Sequence, residues 1–178
     1  MWLRTHAMED RGNWGETLIA GGMVLRGRWL KEVYRANPEG GWYAPSEVEY
    51  VKNVVTNCGM NYLASRISCR AVGVNSDMSA TAIGTVSTAA TLSDTAITGE
   101  VDKKLFDSTS LNLNVWVIVN TWAGNADSVT SYIIAEAGVF NSLTSGTGVM
   151  FQRVTFSTVT LADSDYLKLQ IETTVGSR

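Results

Sequence analysis

The sequence predicts a mainly β fold: an antiparallel β-sandwich with one short helix and an extended N-terminal arm. Three observations carry that expectation. Leu167, Leu169 and Ile171 alternate with Lys168, Gln170 and Glu172, the period of a strand that is dry on one face and wet on the other. Turn-forming runs such as Gly124-Asn-Ala-Asp, Ser145-Gly-Thr-Gly and Ala162-Asp-Ser-Asp separate several short apolar segments, the punctuation of an all-β chain. The 178 residues include 16 Ser and 19 Thr but only 17% charged residues. Soluble domains usually carry about 25% charge, so small polar strand residues take the place of a salt-bridged helical exterior. Apolar residues make up 45% and the net charge is -3, which excludes a mainly disordered chain; the length suits one domain with an appendage.

Residues 1–44 are assigned to the arm and residues 45–178 to the sandwich. Trp2, Trp14, Trp29 and Trp42 recur at intervals of 12, 15 and 13 among Gly12, Gly15, Gly21, Gly22, Gly27, Gly40 and Gly41, and no helical or strand period spans the stretch. The four tryptophans are candidate interface anchors, because aromatic side chains with Arg neighbours carry much of the energy of buried interfaces. The alternative is that they fold back on the main core. Thr17–Ala20 and Met23–Leu25 are suited to pairing across Gly21-Gly22, and Trp29–Tyr34 to either a strand or a helical turn.

After Pro45, the β-branched run 47–56 reads as a strand. Met60, Leu63, Ala64 and Ile67 then fall at i, i+3, i+4 and i+7, predicting an amphipathic helix capped by Thr56 or Asn57. A strand is expected at 70–74, followed by an irregular connection over 75–99 with a short helix near 92–97. Leu111, Leu113, Val115, Val117 and Val119 alternate with Asn112, Asn114, Trp116, Ile118 and Asn120, which predicts one strand that turns at 124–127 and pairs with 129–140. Strands over 150–156 and 166–173 complete the set.

Composition closes most catalytic routes. His6 is the single histidine, which excludes a multi-His metal site and a relay built on a core imidazole. Cys58 and Cys69 lack CxxC spacing and read as two buried thiols in a reducing compartment. No apolar run reaches the roughly 20 residues of a membrane-spanning helix, and residues 1–23 lack the apolar block of a signal peptide. Residues 71–178 hold five basic against ten acidic residues, an electrostatic bias against phosphate backbones. Glu136, inside the apolar run Ile133-Ile-Ala-Glu-Ala-Gly, is expected to be a buried structural acid paired with backbone amides or with Arg153. Asp163 and Asp165 have calcium-loop spacing without the loop's later Gly and Glu, so an ordinary turn is expected. Gly146-Thr-Gly148 precedes a strand rather than a helix and is not a phosphate cradle. Trp116, Trp122 and Tyr132 are sugar-stacking candidates, though strand aromatics are more often packing partners. No catalytic, cofactor-binding or metal-binding residue is assigned.

The ordered segments Lys52-Asn-Val-Val-Thr-Asn-Cys-Gly-Met-Asn-Tyr-Leu-Ala, Ala71-Val-Gly-Val, Thr91-Leu-Ser-Asp-Thr-Ala-Ile-Thr-Gly-Glu-Val, Ile134-Ala-Glu-Ala-Gly-Val-Phe-Asn-Ser, Met150-Phe-Gln-Arg-Val-Thr-Phe and Thr160-Leu-Ala-Asp-Ser-Asp-Tyr-Leu-Lys-Leu together resemble a family of small structural proteins of tailed-bacteriophage virions. The likeness covers about residues 50–175 and lies in the order of segments rather than in one motif. It implies a β-sandwich that acts by assembly in a tail, neck or fibre attachment, and not an enzyme. It also implies that other virion proteins and copies of itself are the partners, without nucleic acid, membrane or cofactor, and that assembly takes place in the host bacterial cytoplasm. Two alternatives stand beside it: a capsid decoration or cement protein, and a carbohydrate- or receptor-binding module whose partner is a host surface glycan.

Overall fold

A computed structural model describes residues 15–19, 23–36, 44–67, 77–124, 127, 129 and 132–177. The chain forms β1 (Gly15–Ile19), β2 (Met23–Tyr34), β3 (Glu47–Lys52), β4 (Val54–Val55), α1 (Asn57–Ile67) and β5 (Ala80–Gly84). It continues through β6 (Glu100–Leu105), β7 (Ser108–Asn112), β8 (Val115–Ala123), β9 (Ile133–Phe140), β10 (Met150–Thr160) and β11 (Tyr166–Ser177). Two antiparallel sheets result. One has the order β1-β2-β11-β8-β7 with β3 also on β2, and the other the order β4-β10-β9-β5-β6.

The inward rows of the first sheet are legible from its register. Trp29, Ile171 and Ile118 lie side by side across β2, β11 and β8, as do Val33, Leu167 and Trp122. They pack against Ile83, Ile134, Val154 and Phe156 of the second sheet in one continuous core. Thr81 and Asn120 link the layers: the Thr81 hydroxyl donates to Asn120 Oδ1 at 2.9 Å, and Asn120 Nδ2 donates to the Leu105 carbonyl at 2.7 Å. Each group therefore enters the core with its hydrogen bond made.

Several expectations change here. Residues 23–34 are not an arm. They form β2, which pairs with β11 along its whole length and divides its other edge between β1 and β3. Trp29 is 0% exposed in the shared core, so it anchors this chain's own fold. Trp2, Trp14 and Trp42 lie outside the described residues. At the junction of β1 and β3, the Asn53 side chain fills the space where a Cβ on Gly27 would project, which suits glycine there.

The predicted strand over 111–120 is two strands. β7 and β8 join through Leu113-Asn114, with Asn112 opposite Val115 and Leu113 at a φ of 55°. The apolar row of the sequence is not the core row: Ile118, Asn120 and Trp122 are buried and Trp116 packs against the core, while Leu111 and Leu113 are exposed. β8 pairs with β7 and β11, and β9 belongs to the other sheet, so no hairpin joins them. The connection expected over 75–99 contains β5, buried along its length between β9 and β6. Turns and bends occupy 92–97 instead of a helix. The predicted strand at 70–74 lies outside the described residues.

α1 starts where the spacing placed it, and Thr56 caps it by accepting the Gly59 N–H at 3.0 Å. Its buried residues are Gly59 and Tyr62, whereas Ala64 and Ile67 are exposed. The helix turns this face because it lies on β10: a Cβ on Gly59 would come within 2.1 Å of the Phe151 carbonyl oxygen.

Deletion of residues 1–40, harmless to a body with a separate arm, removes β2 from within the sheet. The truncated chain is expected to lose cooperative thermal unfolding and near-ultraviolet circular dichroism. A truncation that melts like the full chain would contradict this architecture.

Candidate functional site

Two features stand apart from ordinary sandwich packing: a buried ionic network in the second sheet and an apolar groove at the β7–β8 end of the first. The network centres on Arg153 of β10. Its Nε donates to Glu136 Oε2 at 2.8 Å, its Nη1 to Asp94 Oδ2 at 2.6 Å and its Nη2 to the Thr88 carbonyl at 3.2 Å. Nη2 also lies 2.7 Å from Glu136 Oε2. Glu136 and Arg153 are adjacent because β9 and β10 are paired, with Glu136 opposite Thr155 and Arg153 opposite Gly138. Their relative exposures are 0% and 4%, and each charge meets its counter-charge out of water.

The network ties the 85–99 connection to the sheet. Glu136 Oε1 accepts from the Val86 N–H at 3.3 Å, and the Thr98 N–H also bonds this carboxylate. Asp94 accepts from the Thr91 N–H at 2.8 Å and the Thr91 hydroxyl at 2.7 Å. The lone acid in β9 was visible in the sequence; Asp94 was not, because its partner lies 59 positions away. With its oxygens occupied by fixed donors, Glu136 has no general acid/base geometry. Asp107 accepts the Thr121 N–H at 2.6 Å and lies 3.3 Å from Lys104.

Two other ionic clusters close the edges. Asp165 takes the Ala162 N–H at 2.9 Å, the Ala36 N–H at 2.8 Å and Arg35 Nη1 at 2.8 Å, so it locks the β10–β11 turn to the end of β2. The turn reading of Asp163 and Asp165 accounts for this carboxylate. Lys31, 1% exposed, donates to Ser157 Oγ at 2.6 Å and pairs with Glu49 at 2.8 Å. A Ser–Lys nucleophile requires a neutral amine. Here the Lys31 Nζ is paired with the Glu49 carboxylate, and the Ser157 hydroxyl donates to that same carboxylate rather than to the amine.

The groove encloses about 450 Å³. Tyr62, Met78, Leu111, Leu113, Trp116 and Phe151 line it, with Asp77 and Asn114 among its few polar groups. Trp116 stands edge-on to Phe106 and Phe151 with centroids 6.1 and 6.0 Å away, and its Nε1 donates to Thr109 Oγ1 at 2.8 Å. Trp122 is fully buried with its Nε1 on Asp102 at 2.7 Å, and Tyr132 is exposed. The two tryptophans therefore form no flat stacking platform. Leu111 and Leu113 are 73% and 93% exposed beside the groove. Their clustering was invisible in the sequence, where both counted as members of one strand face.

Among the described residues, no group of three or more His, Cys, Asp or Glu is placed to hold a metal ion. Nor is any helix there long and apolar enough to cross a membrane. Comparison with protein families, with curated proteins and with solved structures finds no match for this chain.

Substituting Arg153→Met leaves Glu136 and Asp94 without their counter-charge. It is expected to destabilise the fold by about 3–5 kcal/mol in urea unfolding, with part of the loss recovered in Arg153→Met/Glu136→Leu. A loss below about 1 kcal/mol would show that the network does not hold the 85–99 connection.

Burial by itself raises the carboxyls of Asp94, Asp165 and Glu49, but their donors outweigh it and hold all three below the usual range. Their stabilisation is present above the unfolded values of about 4 and is lost as pH falls through the folded ones. Burial raises Glu136 despite Arg153, so its ionisation acts in the opposite sense and is relieved by acid. The stabilisation against urea that Asp94, Asp165 and Glu49 supply is therefore expected to be lost below about pH 4, against the opposing effect of Glu136. Asp94→Asn is expected to lose less on acidification than the parent, and an equal loss in both would remove Asp94 from this account.

Proposed function

We propose that the protein is a structural component of a tailed-bacteriophage virion, a tail, neck or fibre-attachment subunit that acts by symmetric association rather than by catalysis. The observation that carries the assembly reading is the β7 end of the first sheet. There, a strand with every residue exposed borders an apolar groove that the exposed Leu111 and Leu113 help to line. Isolated exposed leucines are common on proteins, but an exposed strand edge beside an apolar cavity is a surface suited to another chain. The interior charges support the same reading from the other side. Arg153, Lys31 and Asp165 have their strongest donors and acceptors committed to holding loops and edges in place.

The virion setting is supported by the ordered likeness over residues 50–175. The partners on this reading are other virion proteins and copies of the chain, assembled in the host cytoplasm. A capsid decoration protein uses the same physics at a different place in the particle, and copy number separates the two. The test is quantitative mass spectrometry of purified particles from cells that carry the gene. Copies on the order of tens per particle support a tail, neck or fibre position, and hundreds a head-surface position, following the symmetry of each site. Absence of the chain from purified particles overturns the virion reading.

A further inference from the structure

We propose that β7 is a homotypic docking edge, where two copies of this chain pair antiparallel about a two-fold axis and join their six-stranded sheets. This deepens the assembly reading and rests on it for its biological use. The Val175 N–H donates to the Asn114 carbonyl at 3.0 Å, so even-numbered β8 residues bond to β11 and odd-numbered ones to β7. Val115, Val117 and Val119 stand opposite Asn112, Ser110 and Ser108. The N–H and C=O groups of Thr109 and Leu111 therefore point away from β8, toward the edge on which no described strand lies.

A two-fold axis at Ser110 places Thr109 opposite Leu111 of the second copy and Leu111 opposite its Thr109. Both outward residues then meet outward residues, so the pairing is self-complementary as an isologous contact requires. Charge favours the same occupant. β7 reads Ser-Thr-Ser-Leu-Asn, and Asp107, the neighbouring charge, lies 3.3 Å from Lys104. Edge strands β3 and β6 carry Glu47, Glu49 and Lys52, and Asp102, Lys103 and Lys104, respectively. Charges of that kind are a common defence against unwanted strand pairing, and β7 has none. Thr109 and Leu111 also share the face of Trp116, opposite Leu111 in the register, so the new pair runs along the groove. A five-residue strand pair covers less than the roughly 800 Å² per partner of a standard interface, so the dimer belongs to the weak class that symmetric particles strengthen by repetition.

The experiment measures the mass of the full chain by light scattering and sedimentation from about 1 μM to about 1 mM, a range that reaches weak affinities. A monomer–dimer transition is expected. Leu111→Pro removes an outward N–H while sparing the β8 ladder, and Leu111→Lys and Leu111→Glu each place like charges near the axis. All three variants are expected to remain monomeric with unchanged circular dichroism. An equimolar mixture of Leu111→Lys and Leu111→Glu is expected to recover the dimer, because diagonal partners across an antiparallel pair lie within reach of long side chains. A parent that stays monomeric, variants that still dimerise, or a charge-swapped mixture that does not recover would each overturn the docking edge. Particle incorporation without dimerisation overturns this edge and leaves the assembly reading standing; dimerisation without incorporation supports the edge and overturns the virion setting.

Discussion

The pairing of β2 with β11 is the constraint on which the rest of the molecule depends. It runs in unbroken register from Met23 opposite Ser177 to Tyr34 opposite Tyr166, so an early strand and the last strand of the described chain are held in one ladder. A contact between segments so distant in sequence brings a loop-closure cost before it brings hydrogen bonds. The apolar row Trp29, Ile171 and Ile118 offsets that cost by burial against the second sheet. Once β2 is placed, β1 and β3 can share its other edge, and Asn53 can lie over Gly27 where β3 departs toward the second layer.

Charge is scarce in this chain and is used chiefly where strands meet connections. Arg153 with Glu136 and Asp94 fastens the 85–99 connection, Asp165 with Arg35 fastens the β10–β11 turn, and Lys31 with Glu49 bridges β2, β3 and β10. Burial penalises an isolated charge heavily, so these groups occur as partnered sets. Acids and bases committed in this way fasten connections and edges to the sheets. The surface at the β7 end has the opposite character, with exposed leucines and with backbone groups that no described strand pairs.

Some of this was legible in the sequence. The alternation of β11 fixes its own inward residues, because its period repeats on both faces without reference to a partner. The start of α1 follows from local capping chemistry, and an acid inside an apolar run announces a buried pair even before its partners are known. The arm reading failed over Trp29 because aromatics interleaved with glycines describe an interface anchor and a core residue equally well. β5 went unseen because Ala-Thr-Ala-Ile-Gly has too few large side chains to show a period, although its position between β9 and β6 buries all of it.

The sequence alone therefore determined the β character, the helix start and the inward row of the last strand, all of which rest on composition and local periodicity. Tertiary structure decided which face of β8 enters the core, where the 108–123 run breaks, that β2 is an internal strand, and which partners satisfy Glu136 and Arg153. The physical reason is that a strand has two faces and two edges. Its own residues state what each offers, and only packing against the rest of the chain selects which are buried and which remain open.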